Sequence, residues 1–299
     1  MKINSENTLL EYQLRINRVI NYINNNLDKP LSLKTLSKEA MFSSFHFHRI
    51  FHAGVGETLT RFIFRLRVQR AAKNLLFDKR KSITQIGLDC GFSSSQNFAR
   101  AFKKYFNVTP SAFRKEKRHE QELTHDFFSP SPFFKKENES TSLLDVKIEQ
   151  MPNFKVCYKR LIGDYDPKKI RPLFEKTLRW AQARDLVTRQ AKIIGVLWDN
   201  EEIAPGGKLR YDACLTLPDK YYSDKIDIQL IAGGKCAVYH CRFTGIDFKT
   251  PWNTLVKEWL PYSGYQPDDR PYYEIYHNDG YEDPDHKWEV DICLPIKSL

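Results

Sequence analysis

Apolar residues in the first third of the chain recur at helical spacing. Ile16, Val19, Ile20, Ile23 and Leu27 form one stripe, and Asn24-Asn25-Asn26 followed by Pro30 predicts where that helix stops. A short helix is predicted from Ser32, which can cap it, with Leu33 and Leu36 facing inward. A turn at Met41-Phe42-Ser43 then leads into a second helix, SFHFHRIF. Its buried face is Phe47, Ile50 and Phe51, and its outer face is Phe45, His48, Arg49 and His52. The pattern returns about fifty residues later. Ser82-x-x-Gln85 has the form of a capping box, Ile83, Ile86 and Leu88 face inward, and Cys90-Gly91-Phe92 makes the turn. The helix from about Ser94 buries Phe98, Ala101, Phe102 and Tyr105. Phe42, Phe47, Arg49, Phe51, Thr58 and Phe62 of the first unit thus fall on Phe92, Phe98, Arg100, Phe102, Thr109 and Phe113 of the second, one extra residue near Ser95 changing the offset from 50 to 51.

Beyond Leu143 the period changes to two. LLDVKIEQM, FKVCYKRLI, KIIGVLWDN, YDACLTLP, IDIQLIA, KCAVYHCRF, YYEIYHN and WEVDICLPI are strand candidates, interrupted by helical patterns at Pro167–Leu186 and Thr250–Leu260. The order strand, strand, helix, strand, strand occurs twice at a spacing of about 80, which predicts a duplicated α+β domain with a groove at the junction of its halves. Between the two regions, residues 119–142 are rich in charge, Ser and Pro and read as a linker. Phe127, Phe128, Phe133 and Phe134 within it suggest that part of it lies against a domain.

Charge separates the two regions further. Residues 1–120 hold 22 lysines and arginines against 9 acids, whereas residues 121–299 hold 25 against 28. The first region therefore suits a polyanion and the second does not. Six cysteines without any C-x-x-C pair argue against a zinc site and read as reduced core residues. No run of 18 apolar residues and no signal-peptide pattern is present, so a cytoplasmic protein without a membrane span is expected.

The outer edge of the helix from Ser94 is unusual: Gln96, Asn97, Arg100, Lys103 and Lys104, with no carboxylate among them. A helix-turn-helix explains it. Its second helix enters the DNA major groove, where Arg bonds guanine, Gln or Asn bonds adenine, and a carboxylate would be repelled by phosphate. The joining segment Thr60 to Leu76 would span roughly 26 Å as helix, which suits two recognition helices about one DNA turn, roughly 34 Å, apart. His48-x-x-x-His52 has metal-ligand spacing but no third ligand nearby, so no metal and no cofactor is expected.

RLRVQRAAKNLL followed by SITQIGLDCGFSSSQNFARAFKKYFNVTPSAFR resembles the DNA-binding domain of AraC/XylS-type transcription regulators, over about residues 8–118. The resemblance implies two helix-turn-helix units on a linking helix, reading adjacent major grooves of promoter DNA, with RNA polymerase as a further partner. Matched residue by residue, the base-reading positions fall on Phe45, His48 and Arg49, and on Ser95, Gln96, Asn97 and Arg100. Phe45 stands where relatives can carry Trp, and His48 and Ser95 change the donor pattern, so the family's operator does not carry over.

Chemistry in the second region is carried by aromatic residues: Trp198, Tyr211, Trp252, Trp259, Tyr265, Tyr272, Tyr273 and Tyr276, with one acid, Glu274, inside RPYYEIY. Alternation puts Tyr272, Glu274 and Tyr276 on one strand face and Tyr273 and Ile275 on the other. A carboxylate among rings suits a lipophilic cation, each π face adding roughly 0.5–2 kcal/mol. LRYDACLTLP, GGKCAVYHCRFTG, EWLPYSGYQPDDRPYYEIYHND and EVDICLPI resemble the GyrI-like effector-binding domain over about residues 143–297. That resemblance implies a duplicated βαββ fold that binds small molecules, often hydrophobic cations, with the family's characteristic acid at Glu274.

The expected protein is thus two domains: an all-α double helix-turn-helix over 8–118 and a duplicated α+β βαββ domain over 143–297. It is expected to regulate transcription, with a small effector held by Glu274, Tyr272, Tyr276, Trp198, Tyr211, Trp252 and Trp259. The alternatives for the second domain are a small-molecule hydrolase using Glu274 as acid/base, or a docking module for another protein.

Overall fold

The computed structural model describes residues 2–78, 80–116, 145–200, 203–204 and 207–298, so the expected linker 119–142 lies outside the described residues. The chain divides into two compact units, Met1–Thr141 and Ser142–Leu299.

The first unit is helical: α1 (Lys2–Asn25), α2 (Leu33–Glu39), α3 (Ser44–Val55), α4 (Leu59–Phe77), α5 (Ile83–Asp89), α6 (Ser95–Phe106) and α7 over residues 110–116. The repeat is visible in its caps. The hydroxyls of Ser32 and Ser82 accept from the backbone N–H of Thr35 and Gln85, and those of Ser43 and Ser94 from His46 and Asn97. The turns between paired helices pass through the left-handed region at Met41 (φ 53°) and Gly91 (φ 85°), and α3 and α6 end in that region at Gly56 and Asn107. The ring contacts repeat too. Phe47–Phe51 and Phe98–Phe102 each have centroids 5.7 Å apart, and Phe51–Phe62 is matched by Phe102–Phe113. Arg67 of α4 donates to the carbonyls of Leu27 and Lys29, tying the linking helix to the end of α1.

Three local expectations are corrected. Leu33 and Leu88 face solvent rather than the core, at 41% and 42% exposed. The two-turn helices α2 and α5 instead bury the edge Leu36, Ser37 and Ala40, and Ile86, Gly87 and Cys90, because α6 lies so close to α5 that a Cβ on Gly87 would stand 2.6 Å from the Phe98 ring. The capping box at Ser82 is half formed, since the Gln85 side chain donates to Asp89 instead of returning to Ser82.

The second unit is a single antiparallel sheet with helices on one face. Its strands are β1 (Val146–Met151), β2 (Phe154–Gly163), β3 (Ile193–Leu197), β4 (Leu209–Thr216), β5 (Asp227–Ile231), β6 (Gly234–Thr244), β7 (Tyr265–Pro267), β8 (Tyr272–Tyr276) and β9 (Lys287–Ser298). Helix α8 (Pro167–Gln182) follows β2. The helical pattern at Thr250–Leu260 is not one helix: α9 (Lys249–Asn253) passes into a π-helical segment Thr254–Trp259 and a 3-10 turn Leu260–Tyr262. The short strand β7, which pairs with β9, has no signal in the period-two pattern.

The strand order β1-β6-β9-β8-β3-β4-β2-β5 expresses the duplication. Exchanging β1 with β5, β2 with β6, β3 with β8 and β4 with β9 reads the same order backwards, so a pseudo-twofold axis passes between β3 and β8. One face of the sheet carries Val156, Tyr158, Ile194, Val196, Cys214, Val238, Tyr273, Ile275 and Cys293 into one core. All six cysteines are buried thiols.

Candidate functional site

In the first unit the exposed edges of α3 and α6 are the sites of interest. Phe47, Phe51, Phe98 and Phe102 are fully buried, which fixes which side of each helix faces outward. His48 and Arg49 are exposed on α3, while the side chain of Phe45 lies outside the described residues. On α6, Gln96, Asn97, Arg100, Lys103 and Lys104 are exposed and Ser95 is half-buried. Asn97 Nδ2 donates to Ser93 Oγ at 2.8 Å and Ser95 Oγ donates to Gln96 Oε1 at 3.4 Å, so the amides are oriented from the helix start. The side chains of Arg100, Lys103 and Lys104 make no hydrogen bond or ion pair with the described residues.

In the second unit a cleft of about 710 Å³ lies over the other face of the sheet, between α8 and the α9–π segment. Strand alternation delivers its floor. Tyr272, Glu274 and Tyr276 of β8 point into it, whereas Tyr273 and Ile275 point into the core. Gly195 of β3 sits directly opposite Glu274 and leaves the space that the Tyr211 hydroxyl fills. Phe174 and Ile170 of α8, Trp252 and Val256 of the α9–π segment, and Trp288 of β9 complete the walls.

Glu274 is 3% exposed. Trp252 Nε1 donates to its Oε1 at 2.7 Å and the Tyr276 hydroxyl to its Oε2 at 2.5 Å; Tyr211 and Tyr276 share a hydrogen bond at 3.1 Å. Trp252 stacks on Tyr272 with centroids 5.5 Å apart. Burial raises the Glu274 pKa, and the donors Tyr276, Trp252 and Tyr211 only partly offset it. No lysine, arginine or histidine pairs with it among the described residues. The cleft lining contains six acids and three bases, so its field favours a cation.

The cleft therefore brings together Glu274, Tyr272, Tyr276, Tyr211 and Trp252. Trp198 is not among them. It packs on the opposite face of the sheet, donating Nε1 to Asp212 Oδ2 at 2.6 Å, with the Arg160 and Arg210 guanidinium groups over its ring. Its position at the end of β3 has the parity of the core face. Trp259 lies in the π-helical segment and does not line the cleft, because the extra residue per turn there rotates it off the Trp252 side. Sequence reading missed the α8 wall and Trp288; the apolar stripe Ile170, Phe174, Leu178 on α8 was the available signal.

A helix-turn-helix pair with a carboxylate-free outer edge, joined in one chain to a sheet domain that encloses an aromatic cleft, defines the class: a DNA-binding transcription regulator with a small-molecule-binding domain. The chain belongs to the family of the GyrI-like small molecule binding domain, which matches residues 144–297, and residues 36–116 match a helix-turn-helix domain of the AraC type. It is 37% identical over 127 residues to the transposon Tn10 TetD protein of Escherichia coli, covering 40% of this chain and 91% of that one. It is 28% identical over 157 residues to a DNA gyrase inhibitor of Escherichia fergusonii, covering 51% and 98%. Among solved structures, that of an EcmrR–DNA complex is 16% identical over 88% of this chain and 85% of that one, with a TM-score of 0.45. No described helix is long and apolar enough to cross a membrane.

Proposed function

We propose that the second unit binds a lipophilic organic cation in the cleft over Glu274, and that the first unit reads promoter DNA through the exposed edges of α3 and α6. One observation carries the effector reading: a carboxylate only 3% exposed, on the floor of an aromatic cleft, with no lysine, arginine or histidine paired to it among the described residues. Burying an unpaired charge is costly, and a cation entering the cleft removes that cost while stacking on Trp252, Tyr272 and Tyr276. The effector-contacting set is Glu274, Tyr272, Tyr276, Tyr211 and Trp252, with Phe174 supplying the opposite wall. The base-reading set is His48, Arg49, Gln96, Asn97 and Arg100, with Ser95 and the α3 residue Phe45 beside them and Lys103 and Lys104 on phosphate. Domain limits of 8–118 and 143–297 and contact with RNA polymerase at the promoter belong to the same reading.

The test is a titration of the full chain with aryl quaternary ammonium ions and with their uncharged carbon isosteres, followed by tryptophan fluorescence. Cations bind at least about tenfold more tightly than isosteres, and Glu274→Gln abolishes the difference. Equal affinity for both would end the cation reading. Incubation of the same protein with aryl esters distinguishes binding from turnover: Glu274-dependent hydrolysis would make the domain an enzyme.

A second reading, a docking surface for a protein partner, is favoured by the relatives that are named DNA gyrase inhibitors. Inhibition of DNA supercoiling by the full chain in a gyrase assay would support it.

A further inference from the structure

The pseudo-twofold axis relates two triads on the core-side face of the sheet. In the first half, Arg160 of β2 stands opposite Asp212 of β4, donating Nε to Oδ1 at 2.6 Å, and Trp198, one residue past β3, donates Nε1 to Oδ2 at 2.6 Å. In the second half, His240 of β6 stands opposite Asp291 of β9, its Nδ1 2.8 Å from Oδ1. His277, one residue past β8, has its Nε2 2.7 Å from Oδ2. Even the backbone agrees: Trp198 N–H donates to the Arg210 carbonyl and His277 N–H to that of Glu289.

The first triad is sealed and electrically complete, with Asp212 fully buried and a permanent guanidinium against it. Burial alone would lower the Arg160 pKa, but the Asp212 carboxylate holds it well above its ordinary value. The second triad is open: the side chains of His240, His277 and Asp291 are 40%, 38% and 20% exposed. With neutral imidazoles its donor count does not close. His240 has a carboxylate oxygen at each ring nitrogen, Asp291 at Nδ1 and Glu289 Oε1 3.3 Å from Nε2. A neutral imidazole carries one N–H, so one lone pair faces a carboxylate. Arg242 neutralises Glu289 at 2.8 Å, and no fixed cation pairs with Asp291 among the described residues. What the neutral arrangement lacks is a positive charge that accepts nitrogen and oxygen lone pairs.

We propose that His240, His277 and Asp291 form a binding site for a divalent transition-metal ion of the Zn²⁺ class. One ligand atom from each residue lies within 4.8 Å of the others. Zinc bonds of about 2.0–2.2 Å place tetrahedral ligand atoms roughly 3.3 Å apart, so the two imidazole–carboxylate spacings open by about half an ångström. The exposed side chains have room for that. Two imidazoles with one carboxylate select a borderline ion over Mg²⁺ or Ca²⁺, which take oxygen ligands. The fourth position falls to solvent, because Glu289 stands at the other ring nitrogen of His240 and is paired with Arg242. The ion lies on the reverse of β8 from Glu274, three residues along the same strand, and so is distinct from the effector cleft.

The experiment is calorimetric titration of the chelator-treated full chain with ZnSO₄, with MgCl₂ in parallel. Zn²⁺ is expected to bind this site once per chain and Mg²⁺ not at all. His240→Ala/His277→Ala should weaken Zn²⁺ binding at least about tenfold, and His48→Ala/His52→Ala, which removes the helix-spaced pair of α3, should leave it unchanged. Unchanged affinity in the first variant, loss in the second, or no Zn²⁺ binding would each overturn the proposal. If the double alanine variant does not fold, Asp291→Asn serves in its place, with the same outcomes. Co²⁺ loading gives an independent reading: visible bands of a nitrogen/oxygen shell support the site, whereas thiolate charge-transfer bands would assign the metal to cysteine and overturn it.

Discussion

Gly195→Ala tests whether the cleft floor is built around a missing side chain. A Cβ at Gly195 would stand 1.9 Å from Tyr211 Oη, 2.8 Å from its Cζ and 3.2 Å from Tyr276 Cε2. Tyr211 is 3% exposed and packs edge-on against Tyr165 and Phe174, so it has nowhere to swing. Overpacking of this kind costs about 1–3 kcal/mol, and losing the Tyr211–Tyr276 hydrogen bond adds about 1 kcal/mol. The expected destabilisation is therefore about 2–4 kcal/mol. All five tryptophans lie in the second unit, so urea unfolding followed by tryptophan fluorescence reads that unit alone. Tyr211→Phe removes the nearest clashing atom. In that background Gly195→Ala should cost at least about 1 kcal/mol less, a non-additivity larger than the roughly 0.5 kcal/mol scatter between independent sites. Additive single and double variants would refute the reasoning.

The Glu274 carboxylate carries a pH signature. Its folded pKa is raised by burial, so the unliganded protein loses stability as pH rises from the unfolded carboxylate value through the folded one; Glu274→Gln should remove that slope in urea titrations across pH. Cation binding needs the ionised form, so affinity should rise over the same window, with proton release detected by calorimetry in buffers of different ionisation enthalpy. Gly91→Ala places a Cβ 2.3 Å from the Leu27 carbonyl oxygen and 2.8 Å from Arg67 Nε in a left-handed turn, and should lower the stability of the helical unit by at least about 2 kcal/mol in circular-dichroism melts. Met41→Gly at the repeated position should instead be neutral or stabilising by up to about 1 kcal/mol. Arg100→Ala should weaken the specific DNA site by about 1–3 kcal/mol and relax one base position, whereas Lys104→Ala should reduce the salt slope of binding by about one unit without changing base preference.

What the sequence disclosed followed from periodicity. The Phe42-to-Phe62 and Phe92-to-Phe113 series is written at helical spacing and could be laid over itself, and the same rings pair at matching distances in the structure. Alternation likewise separated Tyr272, Glu274 and Tyr276 from Tyr273 and Ile275. Positions set by the ends of elements were not legible. Trp198 is aromatic and near β3, but one residue past the strand decides which face it takes, and that parity depends on where the ladder stops. Leu33 and Leu88 fail for a related reason: a two-turn helix buries an edge chosen by its neighbour, and Gly87 lets α6 close on the side away from Leu88. The π-helical segment changes residues per turn where a uniform helical wheel assumes a constant, which moved Trp259 away from Trp252.

The two halves of the second unit keep one backbone and differ where a symmetric pair would have interfered. Glu274 and Gly195 face each other across the pseudo-twofold axis. A second carboxylate at 195 would repel Glu274 and fill the space of Tyr211. Glycine on one side gives the other side's acid a wall of tyrosines and a single place for a cation. The same division appears on the reverse face, where Arg160, Asp212 and Trp198 close one half with permanent donors. Their counterparts His240, Asp291 and His277 leave the other half exposed and hold no permanent cation of their own. Duplication supplied two copies of each position; burying one copy for stability freed the other to meet something from solution. The rigid half holds the strand order that positions the open half, so substitutions at Arg160 or Asp212 should unfold the unit, while those at His240 or His277 leave its unfolding midpoint unchanged in the absence of metal. Equal losses of urea stability from both triads would show that the open one is also structural, and would remove the ground for reading the halves as divided in role.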